Sequence, residues 1–293
     1  MCRESRGNPF YLLQLARDVT LTDGGGTAGA GVTASVPEAV RAALASELSS
    51  LSAPALVVLQ GAAVAGDPFE ELLAVSAAGV GEADAPDLVD ELLELQLVYR
   101  TAVAGRFAFR HPIVRASVYE AAASGWRARA HGRLAGLLAA RGASASAQAP
   151  HVERSARDGD AQAMAVLAAA GTASAPRAPA LAVRWYAAAL RLLPEGADTD
   201  RQRIGLLIAM ATALGGSGQL EQSRSTLCDV LERLPSEDPG RSAVVAYCAG
   251  VEHLLGRHRE ARTRLVQAHH GLADRGVRGS RRAEDRAGDG LLL

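Results

Sequence analysis

The 293-residue sequence contains no lysine, so its 31 cationic side chains are all arginine. That absence excludes a glycine-rich phosphate loop, which needs a lysine to reach the terminal phosphates of a nucleotide. The glycines at 24–26 lack that lysine and a preceding strand, and read as a loop. Aromatic residues make up only 4% of the chain, so a core must be built mainly from Ala, Leu and Val. Ala and Leu are strong helix formers, and Ala lets helices approach closely. Cysteine is scarce too: Cys2, Cys228 and Cys248 form no CxxC pattern and are odd in number, as expected of reduced thiols in a cytosolic protein. No apolar run reaches the roughly 18 residues that would span a bilayer, and the charged N-terminus has no signal-peptide stretch. A cytoplasmic protein without a membrane partner is the expectation.

What is present is unevenly spread. Residues 1–115 carry 8 Arg against 14 acids, and residues 116–293 carry 23 Arg against 18, while the whole chain has a net charge of −1. There is no global attraction to nucleic acid. The abundance of Ala, Arg and Gly beside a near absence of Asn is the usage of a high-GC bacterial genome.

The fold class that follows is all-α: a winged-helix-like domain with one β-hairpin, then an α-solenoid of tetratricopeptide-like helix pairs. Residues 1–51 hold a short amphipathic segment around Phe10–Ala16, a Gly-rich loop from Asp23 to Ser35, and a helix opened by Pro37. Residues 52–115 hold helices at Pro54–Ala65, Phe69–Ala77 and Pro86–Leu95, with Asp67-Pro68 capping the second. A hairpin then runs from Leu97 to Arg110, turning at Ala104-Gly105. Three helices and a hairpin give the order of a winged helix. From His111 onward the chain reads as helices at about 112–123, 125–141, 150–171, 180–193, 201–215, 219–234, 241–255 and 258–273, with residues 116–274 forming the helical repeats. Residues 275–293 have no apolar period and read as a disordered tail, as in a chain that stops where a longer parent continues.

Three segments share a spacing. Ala182, Tyr186, Ala189 and Pro194 are followed, 41 residues on, by Ser223, Leu227, Val230 and Pro235, and 38 residues later by Ala261, Leu265, Ala268 and Ala273. Gly218 and Gly256 each lead their segment by five positions. A small residue first lets helices cross closely, a larger one fills the groove, and glycine turns the chain. Generic Ala-rich hairpins are the alternative. Such repeats bury their apolar faces on neighbours and leave a concave surface for partners.

The stretch Glu4-Ser5-Arg6-Gly7-Asn8-Pro9-Phe10 resembles the Gly-Asn-Pro-Phe motif of large ATP-binding transcription regulators of the LuxR type, signal-transducing AAA-like ATPases. Phe107 to Arg115, through Tyr119, resembles the segment these regulators carry after their winged helix, and repeats then follow in the same order. The resemblance implies that Gly7, Asn8 and Pro9 are the remnant of a nucleotide pocket in a helical lid. ATP or ADP is thereby implied for the full-length family, but no cofactor for this chain alone. A DNA-binding helix-turn-helix would lie beyond the repeats, and none follows residue 273. The implied function is a regulatory fragment, not an enzyme, that binds a protein or small-molecule effector through its repeats. A stand-alone repeat scaffold for another protein is the alternative.

Other chemistry finds little support in the spacing. The helix that would read DNA carries Asp84, Asp87, Asp90, Glu91 and Glu94 and no cation, which would repel a phosphodiester backbone, so no direct DNA contact is expected. The seven histidines are scattered; His253 and His258 are five apart, wrong for sharing a helix face. Cys228 and Cys248 sit among apolar residues, as buried unreactive thiols would. Glu70-Glu71 and Asp90-Glu91 fall on solvated helix faces. Trp126, Trp185 and Tyr186 fall at packing positions, and His111 before Pro112 starts a helix. No catalytic or metal-ligating residue is selected.

Overall fold

The computed structural model describes residues 44–196 and 199–269. Gly7, Asn8 and Pro9, the Gly-rich loop and the tail from 275 lie outside them. Among the described residues the chain is mostly helical with one small sheet, and no helix is long and apolar enough to cross a membrane. It divides into two compact units, the first ending at Ser155 and the second beginning at Ala156.

In the first unit, α1 (Ala53–Ala65) starts at Ser52, whose hydroxyl accepts from the Ala55 N–H at 3.2 Å. This satisfies one of the donors a helix start leaves over. Glu91 holds the cap in turn, accepting from the Ser52 N–H at 2.6 Å and its hydroxyl at 2.7 Å. β1 (Phe69–Glu70), α2 (Glu71–Ala78), a 3-10 turn (Glu82–Asp84) and α3 (Ala85–Glu94) follow. Then come β2 (Val98–Arg100) and β3 (Arg106–Phe109), closing an antiparallel sheet of order β1-β3-β2 in which Val98 faces Phe109 and Phe69 faces Phe107.

The hairpin lies where the sequence puts it, between Leu97 and Arg110, but the segment before α2 departs from the expected helix. Phe69 and Glu70 are extended, and Asp67 caps no helix. Its Oδ1 accepts from the Phe109 N–H at 3.1 Å, so the residue ties β1's lead-in to β3. The apolar pull on Phe69 decides this: it is buried between Phe107 and Phe109, at ring distances of 5.9 and 5.5 Å. Glu70 accordingly sits on a strand, paired with Arg106 and Arg141 at 3.3 Å each.

Three helices complete this unit: α4 (Pro112–Ala121), α5 (Ser124–Ala140) and α6 (Ala145–Ser155). His111 caps α4 through Nδ1, which accepts from the Ile113 N–H at 3.1 Å. Arg133 of α5 donates to the Ser76 and Ala77 carbonyls, filling acceptors left open at the end of α2. The single helix expected over 150–171 is instead two, α6 and α7 (Ala161–Ser174). Gly159 adopts a φ of 80° between them, and Asp160 restarts the helix by accepting from the Ala163 N–H at 2.9 Å.

The second unit continues with α8 (Pro179–Leu192), α9 (Asp200–Gly216), α10 (Leu220–Arg233), α11 (Arg241–Leu254) and α12 (258–269). Each of α7 to α10 packs on the next. The seams are made from small residues. A Cβ on Gly171 would come within 2.6 Å of the Tyr186 ring, and one on Gly215 within 2.6 Å of the Tyr247 hydroxyl. Ser223, fully buried, donates to the Ala211 carbonyl of the facing helix at 2.8 Å. The first position of each spaced set of four, Ala182, Ser223 and Ala261, is buried. The groove-filling position is buried at Tyr186 and Leu227 but not at Leu265, which is 47% exposed; no described helix follows α12 to cover it. Helix ends are closed by arginines, Arg203 on the Leu193 carbonyl and Arg241 on those of Leu231 and Leu234.

Candidate functional site

Two clusters of polar side chains with buried members stand out, one in each unit. The first lines a cavity of about 630 Å³. Pro112, Arg115, Ala116 and Tyr119 recur on α4 at the 3.6-residue period, so one face of that helix forms a wall. The C-terminal end of α1 adds Val64 and Ala65, α5 adds His131, and α6 adds Pro150, His151 and Arg154.

Along this wall runs a chain of hydrogen bonds. The Tyr119 hydroxyl is 3.0 Å from His131 Nε2, and His131 Nδ1 is 2.9 Å from His151 Nδ1. Only one proton can lie between the two Nδ1 atoms, so at most one ring donates there and the pair is held in complementary tautomers. Burial lowers the pKa of His131 to about 3, helped by His151 and the nearby arginines, and lowers that of His151 to about 4, helped by Arg154 and Arg115. Both rings are therefore neutral at physiological pH. His151 Nε2 makes no hydrogen bond to any described residue.

Arg115 donates through Nε to the Ala63 carbonyl at 3.0 Å, closing the end of α1, and Arg154 donates through Nη1 to the Pro150 carbonyl at 2.8 Å. Neither guanidinium has an ion-pair partner among the described residues. Burial lowers the pKa of Arg115; Asp67 and Tyr119 oppose that shift and Arg154 adds to it. Arg127 stacks 4.9 Å from the Tyr119 ring and donates to its carbonyl at 3.0 Å.

The second cluster surrounds Glu252 of α11, whose side chain is 0% exposed. Arg264 of α12 holds it in a fork, Nη2 to Oε1 at 2.6 Å and Nε to Oε2 at 3.0 Å, and Arg224 of α10 adds Nε to Oε1 at 3.2 Å. Arg224 continues to Glu260 at 3.0 Å. The hydrogen bond from Arg264 keeps the Glu252 carboxyl below its usual range although burial opposes it. Cys228 and Cys248 complete the cluster. Arg264 donates to the Cys228 sulfur at 3.6 Å, and the Cys248 thiol lies 4.0 Å from Glu252 Oε1, its pKa pushed up to about 12 by burial. The two cysteines are thus not in a purely apolar setting, as their neighbours in sequence suggested.

Cys228, Cys248 and Glu252 place one donor atom each within 4.8 Å of one another, close enough for a metal ion. Both carboxylate oxygens, however, already accept from guanidinium groups, and two positive charges face the space a cation would need. Burial moreover keeps the Cys248 proton on its sulfur. The arrangement is an ionic clasp joining α10, α11 and α12.

Of the residues singled out in sequence, Gly7, Asn8 and Pro9 lie outside the described residues. Trp185 and Tyr186 are buried in packing positions and His111 caps its helix. His253 and His258 do meet, with Nδ1 atoms 3.0 Å apart, because the turn between α11 and α12 brings together side chains that one continuous helix would separate. The His131–His151 pair was missed, since twenty residues and a helix change separate its members. The only trace of it in sequence is the polar spacing on the walls, Arg115 with Tyr119 and His151 with Arg154. Comparison with known protein families, with curated proteins and with solved structures finds no match.

Proposed function

We propose that this chain is a cytoplasmic regulatory piece of a LuxR-type ATP-dependent transcription regulator, with a winged-helix spacer in residues 52–115 and effector-binding tetratricopeptide-like repeats after it. The observation that carries this reading is the order of elements in the first unit, helix, short strand, two helices, then a hairpin whose second strand lies between the other two. This order is followed directly by the His-Pro helix start at 111–112 and by consecutive helices meeting at small-residue seams.

Two features bear on what the spacer does. Asp90 of α3 is engaged by Arg100 at 3.0 Å and Glu91 by the Ser52 cap, so the acidic helix is tied into its own unit. Its carboxylates would oppose a phosphate backbone, which supports a connecting role over DNA reading. Hydrolysis of nucleotide is not assigned to the chain, which has no lysine to reach a terminal phosphate. The effector acts by shifting an equilibrium between two arrangements of the parent regulator, which requires different affinities for the two.

Reading the coding DNA on both sides of this frame tests the proposal. A phosphate loop upstream and a helix-turn-helix downstream, in frame, are expected. Unrelated coding sequence on both sides, or nucleotide turnover by the purified chain, would overturn it and leave the repeat scaffold or an enzyme as the reading.

A further inference from the structure

We propose that the cavity between α4, α5, α6 and the end of α1 binds a small organic carboxylate with an apolar body. This does not depend on the regulatory reading above. Among the described residues, guanidinium groups mostly meet a carboxylate or close a helix end: Arg264 and Arg224 on Glu252, Arg257 on Glu221 at 2.9 Å, Arg110 on Glu47 at 2.6 Å, Arg133, Arg203 and Arg241 on carbonyls. Arg115 and Arg154 each spend one N–H on a backbone carbonyl and turn the remainder of the fork to the same cavity without a carboxylate. Their charges repel each other; Asp67, which does not line the cavity, gives half-buried Arg115 some counter-charge, whereas exposed Arg154 has no ion-pair partner among the described residues. Glu120, exposed on the rim, pairs with neither.

The remaining walls specify the ligand further. Val64, Ala65, Pro112, Ala116 and Pro150 give an apolar surface beside the cationic end. The cavity falls within the range of about 300–1,000 Å³ typical of small-molecule sites. A planar carboxylate matches the fork of a guanidinium, two donors to two oxygens. If His131 donates its Nδ1 proton to His151, Tyr119 can donate to His131 Nε2, and His151 Nε2 then carries an N–H into the cavity as a third donor. The site is thus a cationic, donor-rich end attached to an apolar chamber, with both histidines neutral and no anion of its own between the two guanidinium groups.

Octanoate is the probe, titrated into the full chain by calorimetry at pH 7, with octanol and octyl phosphate as comparisons. Octanoate is expected to bind at least about tenfold more tightly than octanol, the worth of one charge-assisted hydrogen bond. Arg154→Gln is expected to weaken octanoate by about the same factor while leaving octanol unchanged. Ala116→Leu, which fills the chamber without touching a charged group, should weaken octanoate and octanol alike. Equal binding of octanoate and octanol, or octanoate binding indifferent to both substitutions, would overturn the proposal. So would the absence of octanoate binding, and octyl phosphate binding more tightly than octanoate would overturn the carboxylate assignment.

Discussion

In the second unit two guanidinium groups converge on one buried carboxylate, while in the first two guanidinium groups face a cavity with no carboxylate between them. The side-chain chemistry is the same, and because the chain has no lysine, arginine does all of its cationic work. The difference lies in satisfaction. Around Glu252 every charge has its partner and the hydrogen bonds close among α10, α11 and α12, so the cluster has nothing left to offer a ligand. Around Arg115 and Arg154 the fold leaves N–H donors facing the cavity, with Arg115 eased only by Asp67 outside the lining and Arg154 without an ion-pair partner among the described residues. A closed network marks a fastening, and an open one marks a place where something else can bind.

The largest effect should come from cutting the closed network. Glu252→Gln removes the counter-charge of Arg264 and Arg224, whose side chains are only 24% and 25% exposed. Breaking a buried pair from one side costs 3–5 kcal/mol; partial exposure of the arginines places this case near the bottom, at about 3 kcal/mol. Each unit holds one tryptophan, Trp126 in the first and Trp185 in the second. Urea unfolding followed by Trp185 fluorescence in a Trp126→Phe background therefore reads the second unit alone. An unchanged midpoint would show that the clasp is not a fastening, and the comparison would fail.

Acid should act on the other unit. The pKa values of His131 and His151 are lowered in the fold, from 6.5 to about 3 and about 4. The unfolded chain therefore binds more protons than the folded one once pH drops below 6.5. The stability contributed by the neutral pair is complete above that value and is lost as pH falls toward 3–4. Between pH 6.5 and 5 the first unit should lose about 3 kcal/mol through this pair. Unfolding followed by Trp126 in a Trp185→Phe background measures the loss, and the pair His131→Asn with His151→Asn should flatten the profile. An equally steep profile in that variant would remove the histidines as its cause.

A smaller effect is expected at the helix seams. Gly171→Ala drives a methyl toward the Tyr186 ring, 2.6 Å from its Cε1. Overpacking of this kind costs about 1–3 kcal/mol, and Tyr186→Leu in the same chain should recover part of it. Additive losses in the double variant would show that the two side chains do not share a seam.

This seam was legible in sequence, and the cavity was not, for a physical reason. The small residues Ala182, Ser223 and Ala261 recur along the chain and all three are buried, so a spacing in sequence coincides with burial in the structure. The hairpin was legible likewise, since two short runs with valine and aromatic residues flank the Ala104-Gly105 turn and pair in register. The break between α6 and α7 was signalled by Gly159-Asp160, but the Ala-rich run on either side carries too little period to show a change of helix. Tertiary burial of Phe69 overrode the Asp-Pro helix-start signal before it. Tyr119, His131 and His151 come from three helices whose mutual placement no local pattern encodes, and Cys228, Glu252 and Arg264 likewise.

The smallest stability effect is expected at Arg154, and it is the sharpest test of the contrast. Arg154 is exposed on α6, donates only to the Pro150 carbonyl within its own helix, and is close enough to Arg115 to depress its pKa. Removing its charge by Arg154→Gln forfeits little packing and relieves a repulsion, so the first unit should keep its stability within about 0.5 kcal/mol or gain slightly. Glu252→Gln and Arg154→Gln change one charge each, yet the first should unfold its unit at clearly lower urea and the second should not. A loss of more than about 1 kcal/mol on Arg154→Gln, read by Trp126, would mean that this guanidinium is already fastened by the fold. The distinction between a spent and an unspent arginine would then dissolve. Retained stability with a rise in the Arg115 and His151 pKa values, followed by NMR titration, would show instead that charge accumulates in the cavity for want of an anion.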